Sequence, residues 1–87
     1  MHESRLVGQL LDEAERRADG SITTIRGLRF EIGAMAAVSD VGLRHGAADA
    51  ARERWGFAPT IEVDESHDPL DSGAQGVKLV AIMVGDG

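Results

Sequence analysis

The last predicted strand of this chain, residues 77–84, limits the possible folds most strongly because it is apolar on both faces. Its residues alternate between two apolar sets, which are Leu79, Ala81 and Met83 on one face and Val80, Ile82 and Val84 on the other. A strand of this kind is typical of one that is covered on both sides. Two helices suffice to cover one face of a small sheet. We therefore expect a second cover, either a wrapping helix or loop of this chain, a partner protein, or a second copy in a homodimer.

Hydrophobic periodicity divides the rest of the chain into elements in the order α-β-α-β-β. Apolar residues recur at helical spacing over residues 3–19, and Gly20 then provides a stop signal. Apolar and charged residues alternate over residues 23–32, in which Gly27 predicts a bulge or a close approach of another group. A second helix is predicted over residues 40–54, capped by Ser39 or Asp40, and a second strand follows Pro59. The sequence thus predicts a two-layer α+β fold with a three-stranded sheet packed on two helices.

The order of the strands depends on where the last one lies. A strand–helix–strand crossover makes the first two strands parallel and is right-handed. A last strand between them would make every neighbouring pair antiparallel, whereas a last strand outside them would make the sheet mixed. Its two apolar faces favour the central position.

Composition excludes several classes of function. The 87 residues predict one domain, residues 1–87, and the net charge of −6 argues against nucleic-acid binding and favours cations and basic partners. The absence of cysteine excludes thiolate chemistry and cysteine-based structural zinc. No catalytic nucleophile motif or phosphate-binding loop is present, so we do not expect an enzyme. Charged residues interrupt the first apolar segment, which predicts a cytoplasmic protein without a signal peptide or membrane span.

The first three residues, Met1, His2 and Glu3, form a candidate metal site. The α-amine, the backbone nitrogen of His2 and its imidazole can close around one ion as adjoining chelate rings. Nitrogen donors of this kind suit Ni(II) or Cu(II) better than Mg(II) or Ca(II). Glu3 adds a nearby oxygen. The same tripeptide also occurs by chance, so the three residues alone do not establish a metal site, and further support has to come from the rest of the chain.

Six segments in order resemble the HypA/HybF family of nickel metallochaperones, which act in hydrogenase maturation. The segments are Met1-His2-Glu3 before a long helix, residues 28–33, residues 36–38, the pair Leu43-Arg44, Ala58 with residues 61–63, and residues 77–82. They cover nearly the whole chain. Each is weak alone, whereas the ordered set is moderately specific.

The chain also departs from the family pattern. The family normally carries a second lobe with two pairs of zinc-binding cysteines, and a loop over residues 64–76 replaces it here. Ala34 stands where the family usually has glutamate, and residues 45–48 replace a run with two phenylalanines. The zinc-dependent functions of the family therefore do not transfer to this chain.

The resemblance implies a nickel site and a role for it. It assigns Met1 and His2 as ligands, Glu3 as a backbone or carboxylate contributor, and Asp40 as the nearest carboxylate before the second helix. It implies Ni(II) as cargo without structural zinc, and a HypB-like GTPase or a hydrogenase large subunit as acceptor. The implied function is a metallochaperone that delivers nickel during maturation of a nickel enzyme.

Two other hypotheses remain at this point. The chain is alternatively a metal-free HypA-like interaction module (an adaptor) in the same assembly pathway, with Val80, Ile82 and Val84 binding the partner. A weaker hypothesis places a replacement metal site at His67, which stands in an acidic loop. Such a loop is more often a solvated surface turn.

Overall fold

The computed structural model describes residues 2–66 and 76–85, with side chains described from Arg5 onward. Its elements, in chain order, are α1 (His2–Arg17), a short 3-10 turn (Ile22–Thr24), β1 (Ile25–Ile32), α2 (Asp40–Trp55), β2 (Thr60–Glu65) and β3 (Val77–Val84). The predicted order α-β-α-β-β and the small α+β fold are confirmed. The two helices pack beside a three-stranded sheet.

Both helices end or begin where the sequence predicts a signal. After α1, the backbone N–H of Gly20 donates to the carbonyl of Glu15 at 3.0 Å, and Gly20 adopts a φ of +81° that favours glycine. Before α2, the hydroxyl oxygen of Ser39 accepts from the N–H of Gly42 at 2.9 Å. Ser39 is therefore the cap of α2, and Asp40 is the first residue of the helix.

The first strand, β1, occupies the centre of the sheet. The strand order is β2-β1-β3, with β1 parallel to β2 and antiparallel to β3. The prediction that the last strand is central is therefore wrong, and the sheet is mixed. Leu28, Phe30 and Ile32 of β1 are buried in the core, whereas Val80 and Val84 of β3 are 45% and 59% exposed. The apolar character of β3 therefore does not reflect burial on both faces.

A register shift explains the apolar pattern of β3. Arg29 pairs with Ala81, and Phe30 pairs with Leu79, so Val80 is an extra residue without a partner on β1. Such a bulge reverses the alternation of side chains along the strand. Residues before and after Val80 therefore do not follow one simple alternation between the two faces of the sheet.

The shift separates the three residues predicted to bind a partner. Ile82 pairs with Leu28 and packs against the core, whereas Val80 and Val84 are exposed. Ile82 is therefore less accessible to a partner than Val80 and Val84. Partner binding through Val80, Ile82 and Val84 stays a prediction.

The sheet face opposite the helices carries charge on all three strands. The guanidinium of Arg29 lies 3.0 Å from a carboxylate oxygen of Glu62. In the next cross-strand pair on this face, the ammonium of Lys78 lies 3.3 Å from a carboxylate oxygen of Glu31. Charged cross-strand pairs let this face contact water, as one face of many sheets with antiparallel strands does. The second cover that we expected from the sequence is therefore not required over these residues.

At the other end of this face, the side chain of Met83 lies across Gly27. A Cβ at Gly27 would stand 2.6 Å from the terminal methyl carbon of Met83 and 3.3 Å from the carbonyl oxygen of Thr60. A register shift also falls between Ile25 and Gly27. The bulge and the close approach that the sequence predicts at Gly27 are both present.

Candidate functional site

The two helices run parallel, which places both of their N-terminal ends on the same side of the molecule. A Cβ at Gly46 of α2 would stand 3.7 Å from a methyl group of Val7 on α1. Nearer the other ends, Nε1 of Trp55 lies 2.8 Å from a carboxylate oxygen of Glu15. Later residues of α1 thus contact later residues of α2. A third contact between the helices agrees with this parallel arrangement, because the guanidinium of Arg54 lies 2.6 Å from a carboxylate oxygen of Asp12.

This arrangement brings two predicted metal residues to one end. His2 begins α1 five residues before Val7, and Asp40 begins α2 six residues before Gly46. At a helical rise of 1.5 Å per residue, the two positions lie about 7.5 Å and about 9 Å before the contacting pair. The backbone of His2 and that of Asp40 are therefore at nearly the same level. Nothing in the spacing of the two residues along the sequence indicates that they lie at the same end.

The carboxylate of Asp40 is engaged in the described structure. It accepts a hydrogen bond from Nε of Arg44, one helical turn later, and forms an ion pair with it. About half of the Arg44 side chain is exposed. Exposed pairs at this spacing contribute only about 0.3–0.5 kcal/mol, so a cation can compete with Arg44 for Asp40.

The remaining predicted ligands are only partly described. The backbone of His2 and Glu3 belongs to the first turn of α1, whereas their side chains, Met1 and His67 lie outside the described residues. Among the side chains of residues 5–66 and 76–85, no cluster of three or more His, Asp or Glu could hold a metal. The metal site at Met1, His2, Glu3 and Asp40 stays a prediction.

Sequence reasoning missed two exposed apolar residues, Met35 and Val41. Met35 lies in the loop that leads from β1 to α2, and Val41 lies in the first turn of α2. They belong to the same end of the molecule as His2 and Asp40. The signal available in the sequence was their position outside the apolar periodicity of either neighbouring element.

Sequence reasoning also missed a groove between α2 and the start of β2. It has a volume of about 450 Å³, which lies in the usual range for ligand-binding clefts. Arg44, Asp49 and Arg52 of α2 form its charged part, and its apolar part is formed by Ala48, Ala58, Pro59 and Ile61. We call this the α2–β2 groove. His45 also lines it, and its ring belongs to an exposed residue of α2.

Charge pairs elsewhere stabilise the charged form of their members. Hydrogen bonds from Arg16 and Arg17 lower the pKa of Glu13 below its ordinary value of 4.5. The hydrogen bond to Glu62 raises the pKa of Arg29, and the one to Asp12 raises the pKa of Arg54. These groups are therefore ionised at neutral pH and act as fixed charges rather than as acids or bases.

Comparisons with protein-family models, with curated proteins and with solved structures found no significant match to this chain. In residues 2–66 and 76–85, neither helix has the length and apolar character needed to cross a bilayer. The functional conclusion therefore depends on the chemistry of the residues themselves and on the resemblance described above.

Proposed function

We propose that this protein is a nickel-binding metallochaperone, which holds Ni(II) at Met1 and His2 and delivers it during maturation of a nickel enzyme such as a nickel–iron hydrogenase. The observation that carries the proposal is that α1 begins at His2, directly after Met1. The donors of the Met-His-Glu sequence therefore belong to the start of a helix. The ordered resemblance to the HypA/HybF family supports the same function.

Helix geometry supports chelation by the backbone of His2. The first four N–H groups of an α-helix have no acceptor within the helix, so the amide nitrogen of His2 is not committed to a helical hydrogen bond. Together with the amine of Met1 and the imidazole of His2, it supplies three nitrogen donors. Such donors select Ni(II) or Cu(II) among divalent ions.

The parallel packing of the helices supports a fourth ligand. Asp40 begins α2 at the same end of the molecule as His2, and Glu3 follows His2 in the chain. A carboxylate of either residue would complete the coordination of the ion. The ion must lie to one side of the α1 axis, because the positive end of the helix dipole repels a cation on it.

Delivery requires that the metal be released. The amine, the imidazole and the amide nitrogen of His2 bind only when deprotonated, so each proton released on binding is taken up again in acid, which favours release of the metal. Donors at a chain end can also be displaced one at a time by an acceptor. We propose a HypB-like GTPase or a hydrogenase large subunit as that acceptor, and the cytoplasm as the location.

Titration calorimetry of the untagged protein with Ni(II) tests the proposal. We expect stoichiometric binding that is lost in His2→Ala and in a variant with one serine added before Met1. His45→Ala is the matched control, because it removes an exposed imidazole of α2 and should leave nickel binding unchanged. Unchanged nickel affinity in His2→Ala would reject the assignment. Intact-mass measurement of native protein checks that the amine of Met1 is free.

A second candidate is a metal-free interaction module, which the exposed Val80 and Val84 on an edge strand favour. Exposed apolar residues on a free strand edge are typical of pairing sites, including homodimers. The guanidinium of Arg17 lies 3.2 Å from the carbonyl oxygen of Val80, so this part of the edge already has a donor. A Val84→Lys substitution should abolish partner binding or dimerisation in this case, whereas the added serine before Met1 should not.

A further inference from the structure

The α2–β2 groove combines two arginines and one aspartate with an apolar floor, in a chain whose net charge is −6. Arg44 and Arg52 stand eight residues apart on α2, and Ala48 stands midway between them. Residues spaced by four lie on one face of a helix, so the three positions form a row about 12 Å long. A small residue in the middle of the row leaves space between the two guanidinium groups.

Among the described side chains, both arginines pair with carboxylates of their own helix. Arg44 forms an ion pair with Asp40. The guanidinium of Arg52 lies 3.1 Å from a carboxylate oxygen of Asp49. The Arg52 side chain is 62% exposed. Because exposed pairs within one helix are weak, a carboxylate that enters the groove can compete for both guanidinium groups. Asp49 also lines the groove and is the carboxylate that an entering ligand displaces from Arg52.

The other wall of the groove is the beginning of an edge strand. Among the strands of residues 2–66 and 76–85, only β1 pairs with β2, so the outer edge of β2 is open. Ile61 pairs with Leu28, which places it on the helix-facing side of the sheet. A segment that runs along the edge of β2 would therefore present every second side chain to α2.

We propose that the α2–β2 groove binds an extended segment of a partner protein that carries two carboxylates four residues apart. Four residues of extended chain span about 13 Å, which matches the row from Arg44 to Arg52. Residues i and i+4 of such a segment point to the same side. Residue i+2 then lies over Ala48, so a small or apolar residue fits there.

Fluorescence anisotropy with labelled peptides and full-length apo protein in EDTA tests the proposal. The probe is a heptapeptide with glutamate at positions 2 and 6, valine at position 4 and serine elsewhere. A peptide with glutamate at positions 2 and 5 has the same charge, but its carboxylates point to opposite sides of the chain. We expect the first peptide to bind at least about fivefold more tightly than the second, and its affinity to fall as salt is raised.

Two arginine variants give matched controls. Arg52→Gln should weaken binding of the first peptide by at least about fivefold. Arg16→Gln on α1, which removes a side chain that is 69% exposed, should leave this affinity unchanged. Amide chemical shifts of Ala58 and Ile61 should move during the titration. Equal binding of both peptides, equal binding to Arg52→Gln, shift changes confined to another surface, or no saturable binding below 1 mM would each overturn the proposal.

The proposal does not depend on nickel. The peptide titration uses metal-free protein, so its outcome is independent of whether Met1 and His2 bind a metal. Conversely, loss of peptide binding in Arg52→Gln leaves the nickel titration unaffected, because Arg52 lies three turns away from the start of α2.

Discussion

Nε1 of Trp55 donates a hydrogen bond to a carboxylate oxygen of Glu15 at 2.8 Å and joins the last turns of the two helices. Arg54 adds a bond to Asp12 at 2.6 Å on the same helix pair. These contacts favour the parallel arrangement of α1 and α2, because they hold both C-terminal ends together. The consequence is that His2 and Asp40, 38 positions apart in the sequence, begin their helices at one end of the molecule.

Removing the indole donor should therefore destabilise the fold. We expect Trp55→Phe to lower the free energy of unfolding by about 1 kcal/mol, since it leaves a part-buried carboxylate without one of its donors. Urea unfolding measures the change. Glu15→Gln keeps an acceptor oxygen and should cost less. A Trp55→Phe protein as stable as the wild type would contradict the role given to this bond.

A side chain at Gly27 should disturb the outer face of the sheet. Gly27→Val places methyl groups where Met83 and the carbonyl of Thr60 already stand, and overpacking of this kind costs about 1–3 kcal/mol. Thermal or urea unfolding of the single and double variants measures it. In a Met83→Ala background the cost should fall, because the terminal methyl group of Met83 is gone. An equal cost in both backgrounds would show that Met83 is not the obstacle.

The charge pairs of Glu13 predict a dependence of stability on pH. Arg16 and Arg17 lower the pKa of Glu13 in the folded chain, so the folded state holds its proton less tightly than the unfolded state. Its contribution to stability is present above the unfolded pKa and is lost as the pH falls through the folded pKa. We expect the stability difference between wild type and Glu13→Gln to shrink from pH 6 toward pH 3.

A direct titration gives the matching control. The carboxyl carbon of Glu13, followed by NMR, should titrate at higher pH in Arg17→Gln than in the wild type, because one of the two donors is lost. An unchanged titration curve in this variant would remove Arg17 as a cause of the low pKa.

The pair of Arg44 and Asp40 should influence nickel binding. If the carboxylate of Asp40 is a ligand, Arg44→Gln frees it and should raise nickel affinity about twofold, the amount expected from removing a competing surface ion pair. Asp40→Asn should lower the affinity, and Arg44→Gln should then have no further effect. Calorimetry of the wild type, the two single variants and the double variant gives the complete double-mutant cycle. Additive effects of the two substitutions would argue against Asp40 as a ligand.

The sequence by itself determined the type and order of the helices and strands, although β1 begins at Ile25 rather than at residue 23, after the short turn Ile22–Thr24. Gly20 and Ser39 fix the end of α1 and the start of α2 through contacts with residues no more than five positions away. The alternation of Leu28, Phe30 and Ile32 with charged residues identified β1 as half-buried, and the structure confirms it. Periods of 3.6 and 2 residues arise from the local backbone, so they can be recognised without knowing the fold. The proposed ligands Met1 and His2 are likewise a feature of the sequence.

Only the tertiary structure decided how these elements meet. The bulge at Val80, the central place of β1 and the cross-strand pair of Arg29 with Glu62 depend on which strands pair and in which register. The α2–β2 groove depends on how α2 lies against the edge of the sheet. Register and packing are set by the sum of many contacts between distant residues, and such contacts leave no periodic trace along the chain.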